Sequence, residues 1–79
     1  MRGFSNHRRI QIMELLHKSP ELSVDEVANE LSINFKTASD HIRRLAIAGI
    51  VLKRSEGSAV RHKLTATGEA ILKFLRTLE

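Results

Sequence analysis

The apolar residues early in the chain, Ile10, Ile12, Met13, Leu15 and Leu16, follow one another at intervals of one and two. At 100° per residue they point in several directions, so they predict a helix covered on more than one side. That helix is expected to follow Ser5 or Asn6 and to run to about Lys18, because Pro20 disfavours helical backbone at Ser19. A second helix is expected from Ser23. In Ser23-Val24-Asp25-Glu26 the hydroxyl can cap the helix start while Glu26 reaches back to the cap, a capping box. Val27, Ala28 and Leu31 then form its inner face, and Asp25 and Glu26 lie in the first turn, where the helix dipole favours acids.

Leu31-Ser32-Ile33-Asn34 leaves only a few residues before helical periodicity resumes. Asn34 is a good cap for a third helix that ends at Gly49, which makes a tight helix-turn-helix. Phe35, Ala38, Ile42 and Leu45 recur at spacings of three and four and are expected to face the core. Lys36, Asp40 and Arg43 fall opposite, with Thr37 and Arg44 flanking them. Small Ala28 and Ala38 would let the two helices cross closely. From Ile50 to Ser55 and from Ala59 to Leu64, β-branched residues flank Glu56-Gly57-Ser58, and Val60, His62 and Leu64 alternate with Arg61 and Lys63. This predicts a two-stranded hairpin over residues 50–64. Thr65 or Thr67 caps a last helix. Its Ile71, Leu72, Phe74, Leu75 and Leu78 spread over about 160° of the helical wheel, wider than one small core requires. The expected class is α+β, mainly α.

Length changes the picture by limiting it: 79 residues form one small domain, 1–79, with room for a single modest core and none for a buried substrate cleft. The absence of cysteine excludes disulfides, thiolate zinc sites and cysteine nucleophiles. The longest apolar run, Ala46 to Leu52, is too short to cross a bilayer, and Met1-Arg2-Gly3-Phe4 has no secretory apolar stretch behind it. A soluble, cytoplasmic protein is expected.

Charge is unevenly divided. Residues 1–9 carry +3 from Arg2, Arg8 and Arg9, whereas residues 10–33 carry −4, Lys18 standing against Glu14, Glu21, Asp25, Glu26 and Glu30. Residues 34–63 carry +5, seven cations against Asp40 and Glu56, and residues 64–79 are neutral. The net +4 is therefore concentrated around the third helix and the hairpin, where a polyanion could use it.

Residues 27 to 51, followed by a basic hairpin and Leu64-Thr65-Ala66-Thr67-Gly68, carry a familiar arrangement. Val27-Ala28, Thr37, Ser39, His41-Ile42 and Ala48-Gly49-Ile50-Val51 stand at characteristic spacings. In this, the chain resembles the winged-helix DNA-binding domains of prokaryotic transcriptional regulators, especially ArsR-like ones, over about residues 9 to 72. The resemblance implies a three-helix core containing the helix-turn-helix, a two-stranded wing, a C-terminal helix and sequence-specific binding of double-stranded DNA by a repressor-like regulator.

The residues agree with that implication. A helix entering the major groove needs hydrogen-bonding side chains on its exposed half and an apolar back. Lys36, Thr37, Asp40 and Arg43 supply the front, with Ser39 and Arg44 at its margins. Asn34 and the amides of the helix start can hold a phosphate, and Lys53, Arg54, Arg61 and Lys63 place the wing on the backbone. Asp40 lies four residues from both Lys36 and Arg44, so an intrahelical charge pair competes with a cytosine contact. His41 reads as a packed structural histidine, while His7, His17 and His62 lack mutual ligand spacing and read as surface residues.

ArsR-like metal sensors hold metals through thiolates near the helix-turn-helix or through His and acids on the last helix. Here Leu22-Ser23-Val24-Asp25 has no sulfur and the last helix has no histidine, so no metal or other cofactor is expected, and no small-molecule ligand is evident. The competing functional class is a winged-helix protein-interaction module of a larger assembly, which would usually be less basic on its third helix. An RNA or left-handed DNA binder would be expected to use Tyr or Trp for stacking, and neither occurs. No nucleophile or metal pattern suggests an enzyme. The surplus apolar surface, Ile10 on the first helix with Ile71, Phe74, Leu75 and Leu78 on the last, predicts a homodimer.

Overall fold

In the computed structural model, which describes residues 3–78, α1 (Gly3–Lys18), α2 (Val24–Leu31) and α3 (Phe35–Ile47) are followed by β1 (Val51–Glu56), β2 (Ala59–Leu64) and α4 (Ala66–Thr77). Helix α1 starts earlier than either predicted cap, at Gly3. The other starts are capped as their sequences predict. Ser23 Oγ accepts from the Glu26 amide at 3.2 Å while Glu26 Oε1 accepts from the Ser23 amide at 2.9 Å, and these bonds hold the Glu26 carboxyl below its usual pKa. Of the two threonines, Thr65 caps α4: its Oγ1 accepts from Gly68 N–H at 3.0 Å. Ser32 closes α2 in the left-handed region (φ 56°), and Gly49, at φ 79°, turns the chain from α3 into the hairpin.

The core gathers Ile12, Met13 and Leu16 of α1, Val27 and Ala28 of α2, Ala38, Ile42 and Leu45 of α3, and Val51, Leu64 and Leu72. Each fully buried aliphatic chain contributes about 1.5–3 kcal/mol by leaving water. One expected core residue is absent. Phe35 is 54% exposed, because it is the first residue of α3, one turn before Ala38, where the burial of that face begins.

Strands β1 and β2 pair antiparallel from Val51↔Leu64 to Glu56↔Ala59. A further bridge, Leu22↔His62, adds a short third line to the sheet and was not anticipated. Glu21 N–H donates to His62 O at 2.8 Å and His62 N–H to Leu22 O at 2.9 Å. This overturns the surface reading of His62, which is 2% exposed with Nδ1 3.0 Å from Leu22 O. Its alternation with Val60 and Leu64 places it on the sheet face that meets the helices.

A pH dependence follows. Burial holds the His62 pKa below the ordinary 6.5, the Leu22 carbonyl opposing that shift and Lys53 adding to it. The unfolded chain then binds a proton that the folded ring refuses, so stability is full above the unfolded pKa and falls as pH drops through the folded one. Thermal unfolding should show a lower Tm at about pH 5.5 than at about pH 8, and His62→Gln should flatten much of that slope. The variant would keep a remainder from His41, whose pKa is shifted the same way. An equally steep slope in the variant would remove His62 as its source.

Candidate nucleic-acid interface

Helix α3 presents the predicted front. Lys36, Thr37, Asp40, Arg43 and Arg44 are exposed, Ser39 is half-buried, and Ala38, Ile42 and Leu45 on the opposite side fix the helix to the core. The Asp40 pair is corrected in partner: Oδ1 meets Arg43 Nη2 at 3.3 Å, one turn away, rather than Lys36 or Arg44. Both groups are more than half exposed, so the pair is worth at most about 1 kcal/mol and leaves Arg43 available to a base edge. At the helix start Asn34 Oδ1 accepts from the amides of Lys36 at 2.8 Å and Thr37 at 3.3 Å. Two amides expected to face a phosphate are thus already occupied by the cap.

The wing divides into two kinds of cation. Arg54 donates to Glu21, which raises its pKa further, and lies 3.8 Å from Glu56. Arg61 donates to Glu21 O at 3.0 Å and lies 3.5 Å from Glu56 and 3.8 Å from Glu26. These two arginines therefore fasten the hairpin to the segment before α2. Register places them opposite one another on one sheet face. Among the described residues Lys53, Lys63, Lys36 and Arg44 form no ion pair, so their charge is open to an anion. The sequence ranked all four wing cations alike. Only the tertiary pairing with Glu21 and Glu26 separates them.

His41 is half-buried on the flank of α3, and its Nδ1 is buried without a hydrogen-bond partner among the described residues. Burial lowers its pKa first, and the cations Arg9, Arg44 and Arg8 add to the shift, with Asp40 opposing. His7 is exposed, and His17 Nδ1 lies 2.7 Å from Glu69 Oε1, joining α1 to α4. Among the described residues no group of three or more His, Cys, Asp or Glu could hold a metal ion. No helix among them is long and apolar enough to cross a membrane.

The order of three helices, hairpin and closing helix, with a basic front on the third, is the winged helix-turn-helix. Residues 6–53 match the family described as bacterial regulatory protein, arsR family. The chain belongs to the arsR family. Within that frame it is 28% identical over 78 residues to the HTH-type transcriptional regulator Rv0324 of Mycobacterium tuberculosis, covering 99% of this chain and 33% of that protein. It is 36% identical over 63 residues to the cadmium resistance transcriptional regulatory protein CadC homolog of Staphylococcus aureus, covering 80% and 52%. The arsR-family chain thus spans a third to a half of the length of these relatives. The solution structure of the homodimeric winged helix-turn-helix DNA-binding domain Mb0332 of Mycobacterium bovis superposes with a TM-score of 0.83 at 26% identity, covering 98% of this chain and 71% of that one.

Proposed function

We propose that this arsR-family domain binds double-stranded DNA sequence-specifically in the cytoplasm as a transcriptional regulator, with α3 in the major groove and the wing along the backbone. Its work is binding and not catalysis. The observation that carries the reading is the exposed, cation-bearing front of α3 fixed over an apolar back, in a chain whose family members are regulators. A protein-interaction module would not require that charge.

The division of labour is testable by comparing a preferred site, selected from a random duplex pool, with random DNA. Arg43→Ala and Lys36→Ala should weaken the preferred site by about 1–3 kcal/mol and random DNA much less, since base edges are read by α3. Lys53→Ala and Lys63→Ala should weaken both alike and lower the salt slope by about 1 each. Arg54→Ala and Arg61→Ala should also weaken both, with a contribution from a loosened wing. Equal losses across sequences for every variant would reject the assignment.

A homodimer through α1 and α4 is part of the proposal. Phe74 and Leu78 are 62% and 67% exposed, while Ile10, Ile71 and Leu75 are half-buried beside them. An apolar groove of about 280 Å³ beside them is lined by Arg9, Ile10, Met13, Leu45, Ile50 and Leu75. The Mycobacterium bovis domain is homodimeric, which supports pairing of this chain as well. Twofold pairing would place two α3 helices about 34 Å apart, so the site should be an inverted repeat.

A further inference from the structure

Thr37, His41 and Arg44 recur at spacings of four and three along α3, on the flank between its core side and its exposed front. Together with Asp40 and with Arg9 of α1 they line a cavity of about 220 Å³. It opens partly to solvent and is large enough to admit more than a single water. Two polar atoms of these residues, Arg9 Nε and His41 Nδ1, are buried and have no hydrogen-bond partner among the described residues. Leaving such groups unpaired is destabilising, more so where the group is charged. Arg9 Nε is a charged donor, and His41 Nδ1 donates as well once the ring is protonated, so the two together suit an acceptor with several oxygens.

The electrostatics select the sign of that acceptor. Arg9 and Arg44 both line the cavity, and Arg8, held by Gln11 at 3.0 Å, adds to the positive field at His41. The one acid among the lining residues, Asp40, lies 3.3 Å from Arg43, and its effect on His41 is smaller than those of burial and the three arginines. Guanidinium groups match the oxygens of a phosphate better than any other side chain. Position selects the source: Thr37 and Arg44 border Lys36, Asp40 and Arg43, so an α3 helix lying in the major groove brings a strand of the backbone to this flank.

The geometry points to an oxyanion pocket between α1 and α3, in which Arg9, His41 and Arg44 hold one backbone phosphate of the bound duplex. This rests on the DNA-binding reading above and adds to it Arg9 and His41, neither of which lies on the recognition front or the wing. The phosphate supplies an acceptor for Arg9 Nε and for the protonated His41 ring, and Thr37 also lines the pocket. It also offsets the cations that oppose charging of His41, so binding draws a proton to the imidazole and affinity rises as pH falls.

The test follows the histidine ring resonances of the full chain by NMR during titration with duplex DNA and, separately, with inorganic phosphate, alongside binding isotherms at several salt concentrations. On adding duplex the His41 resonance should shift toward the protonated form while those of His17 and His62 stay in place. Arg9→Gln should abolish that shift, lower affinity for all duplexes alike by about tenfold and reduce the salt slope by about 1. Arg44→Gln, at an exposed position, should act in the same direction if Arg9→Gln folds poorly. Lys53→Gln should lower affinity without touching the His41 shift, and His41→Gln should remove most of the pH dependence of binding. A wild-type chain that binds duplex with His41 unmoved, or an Arg9→Gln variant with wild-type affinity and slope, overturns the pocket while leaving the DNA reading intact. Absence of duplex binding at low salt overturns the DNA reading and the backbone source. In that event an Arg9-dependent shift of His41 by millimolar inorganic phosphate would assign the pocket to a free anion, and no shift would dispose of it altogether.

Discussion

Phe74→Asp is expected to convert a dimer into a folded monomer and to lower affinity for an inverted repeat by about 10²–10⁴-fold, because the second half-site then binds as a separate event. Phe74 is 62% exposed in the single chain, so its replacement removes little from the core, which is built on Leu72 of the same helix. A carboxylate buried in an apolar interface would lose its hydration without gaining a partner, so pairing through this face should fail. Circular dichroism should therefore report an unchanged fold. Sedimentation at micromolar concentration should give twice the 8.9 kDa chain mass for the wild type and the single mass for the variant. A wild-type chain that already sediments as 8.9 kDa would mean that this apolar face has another role.

The second large effect is expected from Gly68→Ala, and it is one of stability. The start of α4 docks so closely on the segment after α3 that a Cβ at Gly68 would stand 2.3 Å from the Ile50 carbonyl oxygen and 3.1 Å from side-chain atoms of Ile50 and Leu64. That oxygen is fixed by accepting the Thr65 N–H at 2.9 Å, and Thr65 Oγ1 reaches Gly49 O at 2.6 Å. The neighbour is backbone within a hydrogen-bonded corner, so it cannot rotate away as a side chain would. The added methyl should cost about 3 kcal/mol, a large share of the roughly 5–15 kcal/mol that stabilises a domain. Urea unfolding should show a much lower midpoint with an unchanged slope. Gly49→Ala and Gly57→Ala serve as contrasts: both positions have positive φ, 79° and 61°, but open space around them, so each should cost only about 1 kcal/mol. Wild-type stability in Gly68→Ala would show that α4 can shift without loss.

Ser23 with Glu26, Asn34 and Thr65 announce three helix starts because caps are local: donor and acceptor lie within three residues, and no distant part of the chain can change their spacing. Spacings of three and four likewise place Ala38, Ile42 and Leu45 on the buried side and Lys36, Asp40 and Arg43 on the open one. The surplus apolar stripe of α4 was visible for the same reason, since a wheel counts faces without knowing what covers them. Tertiary structure decided the rest. Phe35 has the right period for the core but lies past its edge, and His62 has a polar identity but a buried place, because coverage depends on elements remote in sequence. Leu22 and His62 pair across forty residues, and two residues are too few to show strand periodicity. Glu21 and Glu26 select Arg54 and Arg61 from four similar wing cations, and α1 brings Arg9 to His41. The sequence determined which side chains each element presents, through contacts within a turn or two. Which of those faces meet, and so which charges are held and which stay open to DNA, depends on long-range packing that no local pattern encodes.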